Sequence, residues 1–462
     1  MNDPASLNAM LAARDLAHVW HPCTQMREHD GTLPLIPIVR GDGAWLVDAE
    51  GNRYLDGISS WWSNLFGHAN PRIAAAIAGQ AARLNHVMLA GFTHEPALQL
   101  AEELVRVAPP GLERVSYASD GASAVEIALK MSFHYWHNAG FPERRRFIAL
   151  ANAYHGETLG ALSVSDLPLY RAVYGPLLFD PIVAPSPDWL DAEPGESPDD
   201  VAKRRLGDLR ALLERHARET CAVIVEPLVQ CSGGMRMHSP VYLAGLRRLC
   251  DEFDVHLIAD EIAVGFGRTG TLFACEQACP EPGRRAGITP DFLCLSKGLT
   301  GGALPLSAVL STDKVYRAFL GDYAANNAFL HSHTFSGNPI ACAAALASLA
   351  IFRDQPVLEH IGELSARLAE RIERLRDHPH VAGVRQTGLI AAFDLVVDKA
   401  SGTAYAGAER RGRRFYRHAL ERGVLLRPLG DTVYFLPPYC INESDIDLLV
   451  DVAVDSIGAT IA

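Results

Sequence analysis

The amino-acid sequence predicts an α/β fold, with a large three-layer α/β domain built on a mostly parallel sheet and a smaller α+β domain. Short β-branched runs alternate with helical stretches between about residues 114 and 311, which is typical of a parallel sheet wrapped by helices. After Asn338 the chain is rich in Ala, Leu, Arg and Glu up to about Leu375, and then gives short strands and a final helix. The 462 residues are enough for two domains with a large core.

These elements divide the chain into three predicted parts. Residues 1–56 form an N-terminal segment that joins the small domain, residues 57–338 form the large domain, and residues 339–462 form the C-terminal small domain. Residues 185–200, rich in Pro, Asp and Glu, and residues 279–290 are expected to be surface loops. The predicted strands lie at residues 36–39, 44–47, 114–117, 146–151, 222–225, 255–259, 292–295, 388–395, 424–427 and 432–436.

Composition narrows the possible partners and the compartment. The net charge of −12 argues against nucleic acid or an anionic membrane as a main partner. Nine cysteines are scattered without a CxxC pair or zinc spacing, which indicates a reducing cytoplasm. No secretory signal is visible at the start, and the small apolar run at residues 340–350 is too short to span a bilayer. We therefore expect a cytoplasmic protein that acts on small molecules.

One lysine stands between an apolar run and a glycine-rich turn, in the sequence LSKGLTGG at residues 295–302. Residues 292–295 predict a buried strand, so Lys297 emerges at the end of that strand. A lysine near apolar walls loses solvation of its ammonium group and its pKa falls. The neutral amine can then form a Schiff base with an aldehyde. Taken alone, this segment fits an ordinary surface lysine better than a Schiff-base lysine. A second segment favours the Schiff-base role.

The second segment, VHLIADE at residues 255–261, predicts a buried parallel strand with Asp260 and Glu261 at its C-terminal edge. Ligands of open α/β sheets bind at that edge. Asp260 precedes Lys297 by 37 positions (297 − 260), enough chain for one crossover and one more strand. A Schiff-base lysine and a carboxylate directed at a pyridinium nitrogen together indicate pyridoxal 5′-phosphate (PLP) as the cofactor. The alternative role for Asp260 is that of a helix N-cap.

Two further segments that follow predicted strands could hold other parts of such a cofactor. Gly121, Ala122 and Ser123 open an amphipathic helix, where backbone N–H groups and the helix dipole favour an anion such as phosphate. Simple capping by Ser and Asp is the alternative for this turn. Tyr154 follows the strand at residues 146–151 and could stack on a flat ring, or it could be a half-buried turn residue.

Candidates for substrate binding come from other parts of the chain. Trp61 and Trp62 could form the floor of a pocket or belong to the core. Arg427, predicted to end a strand, could bind a carboxylate through two parallel hydrogen bonds or form a surface salt bridge. Glu226 ends another predicted strand, and could position an arginine or cofactor groups or be only a loop carboxylate. The sequence GFGRTG predicts a glycine-hinged loop that presents Arg268, and it is not a dinucleotide fingerprint.

Taken together, these residues resemble the class III aminotransferases of fold type I, which use PLP. The resemblance extends nearly from end to end. The Asp and Lys motifs are specific to the superfamily, whereas the paired tryptophans and residues 427–439 favour the members that act in biotin synthesis. The matching motifs are WHP (20–22), DGISSWW (56–62), HVM (86–88), ALKM (128–131), YHGET (154–158), EPLVQ (226–230), DEIA (260–263), Lys297, GNP (337–339), RP (427–428) and residues 434–439.

The resemblance implies a role for each cofactor residue. Lys297 forms the Schiff base and later moves the proton between the substrate and the cofactor, and Asp260 pairs with the pyridine nitrogen. Gly121 and Ala122 donate backbone amides to the phosphate, and Tyr154 stacks on the ring.

The resemblance also implies a homodimer with shared active sites, because His333 and Thr334 reach the phosphate in the neighbouring subunit. Arg427 is expected to bind the carboxylate of the keto acid. The residues implied to bind substrate are Trp61, Tyr154, Lys297, Ser332 and Arg427.

The expected reaction, again from the resemblance, is a ping-pong transfer of the amino group of S-adenosylmethionine to 8-amino-7-oxononanoate. Two alternatives remain open: the same product with lysine as the donor, and another ω-amino acid:pyruvate transfer. A cofactor-binding regulator without turnover is a rival from another class. The presence of Lys297 and Asp260, and the lack of a visible DNA-binding extension, argue against it.

Three positions depart from the family pattern. Cys23 stands where the family has a tyrosine after His-Pro. The phosphate turn reads Gly-Ala-Ser where Gly-Ser is usual, so a hydroxyl contact is expected to shift to Ser123. Ser332 replaces a glycine. These departures bear on the detail of substrate binding and not on the chemistry.

Overall fold

The computed structural model describes residues 6–30, 33, 35–278 and 287–461. The chain divides into two compact units. The larger unit comprises Pro71–Ser365 and Arg385–Ala391, and the smaller unit comprises the chain up to Asn70, Ala366–Val384 and Ala392 onward. Of the predicted loop at residues 279–290, residues 279–286 lie outside the described residues.

A seven-stranded sheet forms the centre of the larger unit. Strand Ser307–Thr312 pairs antiparallel with both of its neighbours, and every other neighbouring pair runs parallel. The predicted mostly parallel sheet is confirmed. Its strands Thr220–Val225 and His256–Asp260 are buried along their whole length, which explains their continuous apolar sequences. In spatial order the strands are Leu112–Ala118, Ser307–Thr312, Phe292–Leu295, His256–Asp260, Thr220–Val225, Arg146–Leu150 and Ile182–Ala184.

The helices of the larger unit begin at residues that can cap them. Asp120 accepts a hydrogen bond from the Ser123 amide, and the side chain of Asn338 accepts from two amides of the first turn that follows it. Ser197 forms a reciprocal capping box with Asp200. The helices are Pro71–Ala81, Glu95–Val107, Gly121–Asn138, Leu159–Ser163, Pro168–Tyr174, Pro198–His216, Pro240–Glu252, Asp313–Arg317 and Pro339–Asp354, followed by Val357–Ile372, whose last residues belong to the smaller unit.

The core of the larger unit lies between its sheet and the helix Gly121–Asn138. This helix buries Val125, Leu129 and Trp136 against residues of the central strands such as Ile258 and Phe292. The indole N–H of Trp136 donates to the carbonyl of Cys221 at 2.9 Å, so that its one polar atom is satisfied inside the core. The packing fixes the start of this helix at the C-terminal edge of the sheet.

The helical stretch predicted from Asn338 to about Leu375 is broken. Gln355 is extended, with φ −131° and ψ 150°, because the following Pro356 disfavours a helical residue before it and has no N–H to donate. Residues Glu373–Asp377 form a 3₁₀ turn. In the described part of the chain, no single helix is long and apolar enough to cross a membrane, although the bent pair Pro339–Asp354 and Val357–Asp377 jointly meets that test by length and composition.

The smaller unit contains two sheets of four strands. In the first, Ile38–Asp42, Trp45–Asp48 and Arg53–Asp56 form an antiparallel series, and Val424–Leu425 adds in parallel to Arg53–Asp56. The second contains Val381–Thr387, Ile390–Asp398, Thr403–Ala404 and Thr432–Phe435, of which the hairpin residues Arg385–Ala391 are counted with the larger unit. The N-terminal segment thus pairs with the C-terminal part of the chain. The helices are Leu7–His18, Arg411–Glu421 and Glu443–Ile461.

Two predicted strands differ from those observed. The strand expected at residues 388–395 begins only at Ile390, because Gly388 forms the turn of a hairpin with φ 58°, and its partner Val381–Thr387 was not predicted. The strand expected at residues 424–427 ends at Leu425, so Arg427 lies two residues beyond it, before Pro428.

The boundaries of the two compact units along the chain differ from the predicted domain boundaries. Residues 57–70 belong to the smaller unit, and residues 339–365 belong to the larger one. Helix Pro339–Asp354 packs on Pro71–Ala81 and Glu95–Val107, which explains its place in the larger unit.

Candidate active site

Asp260 and Lys297 lie at the ends of two neighbouring parallel strands. Asp260 is the last residue of His256–Asp260, and its register partner in the next strand is Cys294. That strand ends at Leu295, and Lys297 follows after one residue. Both side chains therefore lie at the C-terminal edge of the sheet, as the sequence predicted.

Lys297 occupies a strained backbone position. Its φ is 44°, in the left-handed region, where a residue with a side chain costs roughly 1–2 kcal/mol. Burial lowers the pKa of Lys297 below its ordinary value, and the acidic groups of Cys231, Asp260 and Glu226 oppose part of that shift. Strain of this kind collects at functional sites, where the surrounding structure enforces it. The amine is thus held with an increased neutral fraction, as nucleophilic chemistry requires.

Asp260 is buried and paired with a histidine. Its Oδ2 lies 2.7 Å from His155 Nδ1, and its Oδ1 accepts a hydrogen bond from the Ile262 amide at 3.1 Å. His155 is held in turn by its own amide, which donates to Ser165 Oγ at 2.8 Å. Among the described residues, His155 Nε2 is buried with no hydrogen-bond partner. The hydrogen bond from the Ile262 amide is of the kind that an N-cap residue accepts. The shorter contact of the Asp260 carboxylate is the one with the His155 imidazole.

Glu226 anchors the loop that carries Tyr154. Its two carboxylate oxygens accept hydrogen bonds from the backbone amides of Tyr154, at 3.0 Å, and Cys231, at 3.1 Å. Burial raises the pKa of Glu226 to about 7. This carboxylate therefore holds two loop segments together, and its role in positioning an arginine or cofactor groups stays a prediction. Tyr154 itself is half-buried, and its hydroxyl donates to Glu157 at 2.9 Å.

The start of helix Gly121–Asn138 offers backbone amides at the same edge of the sheet. The first N–H groups of a helix have no acceptor within it, and the helix dipole favours negative charge there. The hydroxyl of Ser123 donates to Asp120 Oδ2 at 2.9 Å, so it serves the cap instead of standing free as expected for a phosphate contact. A Cβ on Gly121 would lie 2.9 Å from Ile262, and one on Gly156 would lie 2.5 Å from the Ala122 Cβ. The turn is thus too close-packed for larger residues.

Ser332, His333 and Thr334 lie in the irregular segment that precedes helix Pro339–Asp354. Ser332 and Thr334 are exposed, and His333 is half-buried. The ring of His333 lies 4.7 Å from that of His331, and Lys130 Nζ is 2.9 Å from His331 Nδ1. This segment is therefore attached to helix Gly121–Asn138 through Lys130 while its next residues face outward.

Trp61 and Arg427 meet within the smaller unit. The Arg427 guanidinium carbon lies 4.8 Å from the centre of the Trp61 ring, an arrangement typical of a cation–π contact. The residue pattern did not separate the two tryptophans, although the resemblance implied Trp61 alone. In the structure Trp62 is buried, with its indole N–H 3.0 Å from the Tyr434 hydroxyl, whereas Trp61 is 44% exposed. Trp62 is a core residue, and Trp61 is available to a ligand.

Both tryptophans belong to a left-handed turn, Ser59–Trp62. All four of its residues have φ between 45° and 73°. Since the left-handed conformation costs a non-glycine residue roughly 1–2 kcal/mol, the turn stores several kcal/mol of strain. Other contacts in the smaller unit must offset that cost.

The sequence interpretation missed the role of one residue of the larger unit's site and did not foresee the burial of another. His155 stands directly after Tyr154 in a segment already singled out, but nothing in that segment indicated a carboxylate partner 105 residues away. The glycine-hinged loop expected to present Arg268 is present, but Arg268 is only 1% exposed, and its positive charge contributes to the lowered pKa of Lys297. Its carbonyl accepts from the Leu389 amide at 3.0 Å, which holds the loop against the hairpin turn.

The family profile of class III aminotransferases matches residues 26–457. The chain belongs to the class III aminotransferases. It is 46% identical to the adenosylmethionine-8-amino-7-oxononanoate aminotransferase of Nitratidesulfovibrio vulgaris, over 96% of this chain and 81% of that protein. It is 45% identical to the enzyme of the same name from Geobacter sulfurreducens, over 95% of both chains.

Solved structures of class III aminotransferases share the fold. The crystal structure of the adenosylmethionine-8-amino-7-oxononanoate aminotransferase from Methanocaldococcus jannaschii matches with a TM-score of 0.91 and 38% identity, covering 97% of this chain and 98% of that one. An ω-transaminase from Pseudomonas jessenii in complex with PMP matches with a TM-score of 0.91 and 30% identity, over 97% and 98% of the two chains. The predicted fold type I and the resemblance to class III are confirmed.

The class III aminotransferase described here is a PLP-dependent enzyme. Its residues fit that cofactor on three independent counts. The sheet edge offers an amine with a lowered pKa at Lys297 and a buried carboxylate at Asp260. The helix that begins at Gly121 offers free amides to a phosphate, in a turn where only small residues fit.

Proposed function

We propose that this class III aminotransferase transfers the amino group of S-adenosylmethionine to 8-amino-7-oxononanoate, giving 7,8-diaminononanoate in biotin synthesis. The observation that carries the proposal is the name shared by relatives that match over nearly the whole chain at 41–46% identity. PLP, when bound, takes up the amino group of the donor and passes it to the acceptor by withdrawing electrons from the carbon that bears it.

The larger unit holds the cofactor in this proposal. Gly121 and Ala122 donate their amides to the phosphate, and Tyr154 covers one face of the ring. Asp260 keeps a proton on the ring nitrogen through its negative charge, and His155, at 2.7 Å, fixes the orientation of that carboxylate. Glu226 supports Tyr154 by accepting its backbone N–H.

Lys297 is the residue that binds the cofactor covalently and moves protons. Its amine, with a pKa lowered by burial, would hold the cofactor and would be the base that takes a proton from the substrate carbon that bears the amino group. The left-handed φ of 44° fixes where the side chain leaves the backbone, so the amine approaches from one direction.

The substrates are bound by Trp61, Tyr154, Lys297, the Ser332 backbone and Arg427. Arg427 grips the carboxylate of 8-amino-7-oxononanoate, because a guanidinium presents two parallel N–H groups to it. The Trp61 ring supports Arg427 from one side, with the guanidinium carbon 4.8 Å from the ring centre. The site takes two unlike substrates in turn, which predicts ping-pong kinetics.

The active enzyme in this proposal is a homodimer in which His333 and Thr334 of one subunit contact the cofactor phosphate of the other. Support comes from the surface around this segment. Large apolar side chains are exposed on two neighbouring stretches, Met88 and Phe92 on one, Leu330 and Phe335 on the other. The stretches are joined by the hydrogen bond from the Asn338 side chain to the Asn85 carbonyl, at 2.9 Å. A second copy of the chain would cover this apolar surface. We place the enzyme in the cytoplasm, since its nine cysteines are scattered along the sequence without the spacing of a disulfide framework.

The donor is tested in a single half-reaction. Holoenzyme is mixed separately with S-adenosylmethionine, lysine and β-alanine, and the change in cofactor absorbance is followed. We expect only S-adenosylmethionine to convert the enzyme within seconds. Conversion by lysine and not by S-adenosylmethionine would support the first alternative, in which lysine is the donor and the product is the same.

The second alternative, an ω-amino acid:pyruvate transfer, has support from the ω-transaminase structure that matches with the same TM-score of 0.91. Adding 8-amino-7-oxononanoate or pyruvate to the amine-loaded enzyme separates the two. We expect the first to restore the original absorbance and pyruvate to leave it unchanged.

The shared site is tested by complementation. Chains with Lys297→Ala and chains with His333→Ala and Thr334→Ala are expected to be inactive or weak alone. Mixed during co-expression, they should form hybrid dimers with one intact site each, so about a quarter of the sites regain activity. No recovery in hybrids that are shown to form would contradict a shared site.

A further inference from the structure

The strained turn Ser59–Trp62 is held by a buried carboxylate. Asp56 is inaccessible to solvent. Its Oδ1 accepts a hydrogen bond from the Ser60 amide at 2.9 Å, and its Oδ2 accepts from the Ser60 hydroxyl at 2.7 Å. His68 Nε2 lies 2.9 Å from the same Oδ2. Asp56 therefore binds Ser60 through both its backbone and its side chain, at the second residue of the turn.

The other residues of the turn are anchored on the C-terminal part of the smaller unit. The Ser59 hydroxyl donates to the carbonyl of Leu436 at 2.7 Å, and the Trp62 indole N–H donates to the Tyr434 hydroxyl at 3.0 Å. Of the four side chains, three are therefore tied down by hydrogen bonds to the protein. The fourth, Trp61, is the one that projects toward solvent and contacts the Arg427 guanidinium.

The left-handed conformation decides where Trp61 points. In a right-handed turn, successive side chains rotate about the turn axis in the opposite direction. The Trp61 ring would then point away from Arg427. Because the guanidinium carbon lies over the indole ring, at 4.8 Å from its centre, a displaced ring would no longer support the guanidinium at this position. A bidentate carboxylate needs that guanidinium in a fixed place.

We infer that Asp56 and Ser60 are positioning residues for recognition of the acceptor carboxylate. They act through the backbone of the turn, which fixes Trp61 and, by contact, Arg427. Neither residue needs to touch substrate. The inference rests on the proposed function for the identity of the acceptor, and on geometry alone for the link from Asp56 to Arg427.

The variant Ser60→Gly separates positioning from stability. Glycine adopts a φ of 45° without strain, and this relief opposes the cost of the lost hydroxyl, so the variant should unfold at a temperature close to that of the wild type. It also loses the hydroxyl bond to Asp56 and lets the turn move. We expect KM for 8-amino-7-oxononanoate to rise about three- to tenfold, with kcat within about twofold, as for a loss of one hydrogen bond in binding. A purely structural role would predict that KM stays constant when stability does not fall.

The matched control is Ser63→Gly, three residues later in the same segment. Ser63 has an ordinary φ of −97°, and its hydroxyl makes only a 3.4 Å contact with the Ser60 carbonyl. Its KM should equal that of the wild type. Asp56→Asn, which replaces one acceptor oxygen by a donor, should raise KM as Ser60→Gly does but lower the unfolding temperature.

A double-mutant cycle tests the route through Trp61. Trp61→Ala alone should raise KM for the acceptor, and adding Ser60→Gly to it should have no further effect, because the positioned ring is gone. Additive effects on KM would overturn the inference.

A crystal structure of the Ser60→Gly holoenzyme provides a readout that does not depend on the substrate. We expect the Arg427 guanidinium to leave its position 4.8 Å above the Trp61 ring. An unchanged contact would overturn the inference even if the proposed function holds. If the wild type does not use 8-amino-7-oxononanoate, the proposed function fails, and this structural comparison still decides the role of Ser60.

Discussion

The carboxylate of Asp260 and the imidazole of His155 form a buried pair, with Oδ2 and Nδ1 2.7 Å apart. Asp260 ends the strand His256–Asp260, whereas His155 lies in the irregular segment after the strand Arg146–Leu150, 105 positions away. A buried charge is costly unless it is paired, and here the imidazole and one backbone amide supply the partners. The imidazole and the Ile262 amide thus hold the Asp260 carboxylate at the sheet edge where the proposed function places the cofactor.

Asp260→Asn is therefore expected to retain PLP but to react slowly. An amide has no charge with which to keep a proton on the ring nitrogen, and it also weakens the contact with His155. Losing a charge-assisted hydrogen bond costs roughly 1.5–3 kcal/mol, which corresponds to a fall of about ten- to a hundredfold or more in both half-reactions. Stopped-flow absorbance on each half-reaction measures this. Unchanged rates would mean that Asp260 is a purely structural residue.

Lys297→Ala is expected to abolish turnover with the fold intact. Removal of a general acid–base group costs on the order of 100- to 10,000-fold, and the loss of the covalent link to the cofactor adds to it. Steady-state assays and far-ultraviolet circular dichroism check the two parts of the prediction. Lys314→Ala is the matched control, because Lys314 is a surface residue paired with Asp254. Near-native activity in Lys297→Ala would assign the chemistry to another lysine.

Arg427→Ala is expected to harm the acceptor half-reaction more than the donor half-reaction. The loss of one charge-assisted hydrogen bond predicts a fall of about ten- to a hundredfold in catalytic efficiency for the keto acid. Single-turnover kinetics of the two halves gives the comparison. Equal losses would indicate that S-adenosylmethionine uses the same anchor for its own carboxylate, and no loss in the acceptor half would exclude Arg427 from the site.

His256 predicts a pH dependence of stability that is separate from the chemistry. Burial lowers the pKa of His256 to about 4, from 6.5. The unfolded chain therefore binds a proton below pH 6.5 that the folded protein binds only near pH 4, and stability is lost as the pH falls between these values. Between pH 7 and 5 this loss is roughly 2 kcal/mol.

Urea unfolding of the wild type and His256→Asn at the two pH values isolates this group. Glu226 and Glu261, whose pKa values burial raises to about 7, act with the opposite sign in the same window. Their contribution is common to both proteins and cancels in the difference. We expect the wild type to lose more stability than the variant on acidification. Parallel pH profiles would show that His256 titrates normally.

Much of the site followed from local sequence, and the reason is the geometry of parallel sheets. Apolar runs that end in Asp260, or just before Lys297, place those side chains at one edge whatever the rest of the chain does. The turn Ser59–Trp62 could not be predicted in this way. Its residues have no local preference for positive φ, and the partners that enforce it, such as Leu436, lie 377 positions away.

The break in the predicted long helix did have a local signal in the sequence. Pro356 marks the break between two helices, but the apolar spacing on either side is helical and predicted one continuous element. The burial of Arg268 had no such signal, since arginine between glycines is typical of an exposed loop. In the structure the hairpin turn at Leu389 is hydrogen-bonded to its backbone.

The place of strand Leu112–Ala118 in the sheet has a consequence for how the protein is made. This strand is the first of the seven to be synthesised, and its one neighbour in the sheet, Ser307–Thr312, is the last. The gap of 189 residues (307 − 118) takes roughly 10–40 s at ribosomal rates of 5–20 residues per second. Throughout that interval the backbone of the first strand has no sheet partner to bond, and such an edge invites pairing with other chains. A nascent chain halted before residue 307 is therefore the form of this enzyme in greatest need of a chaperone.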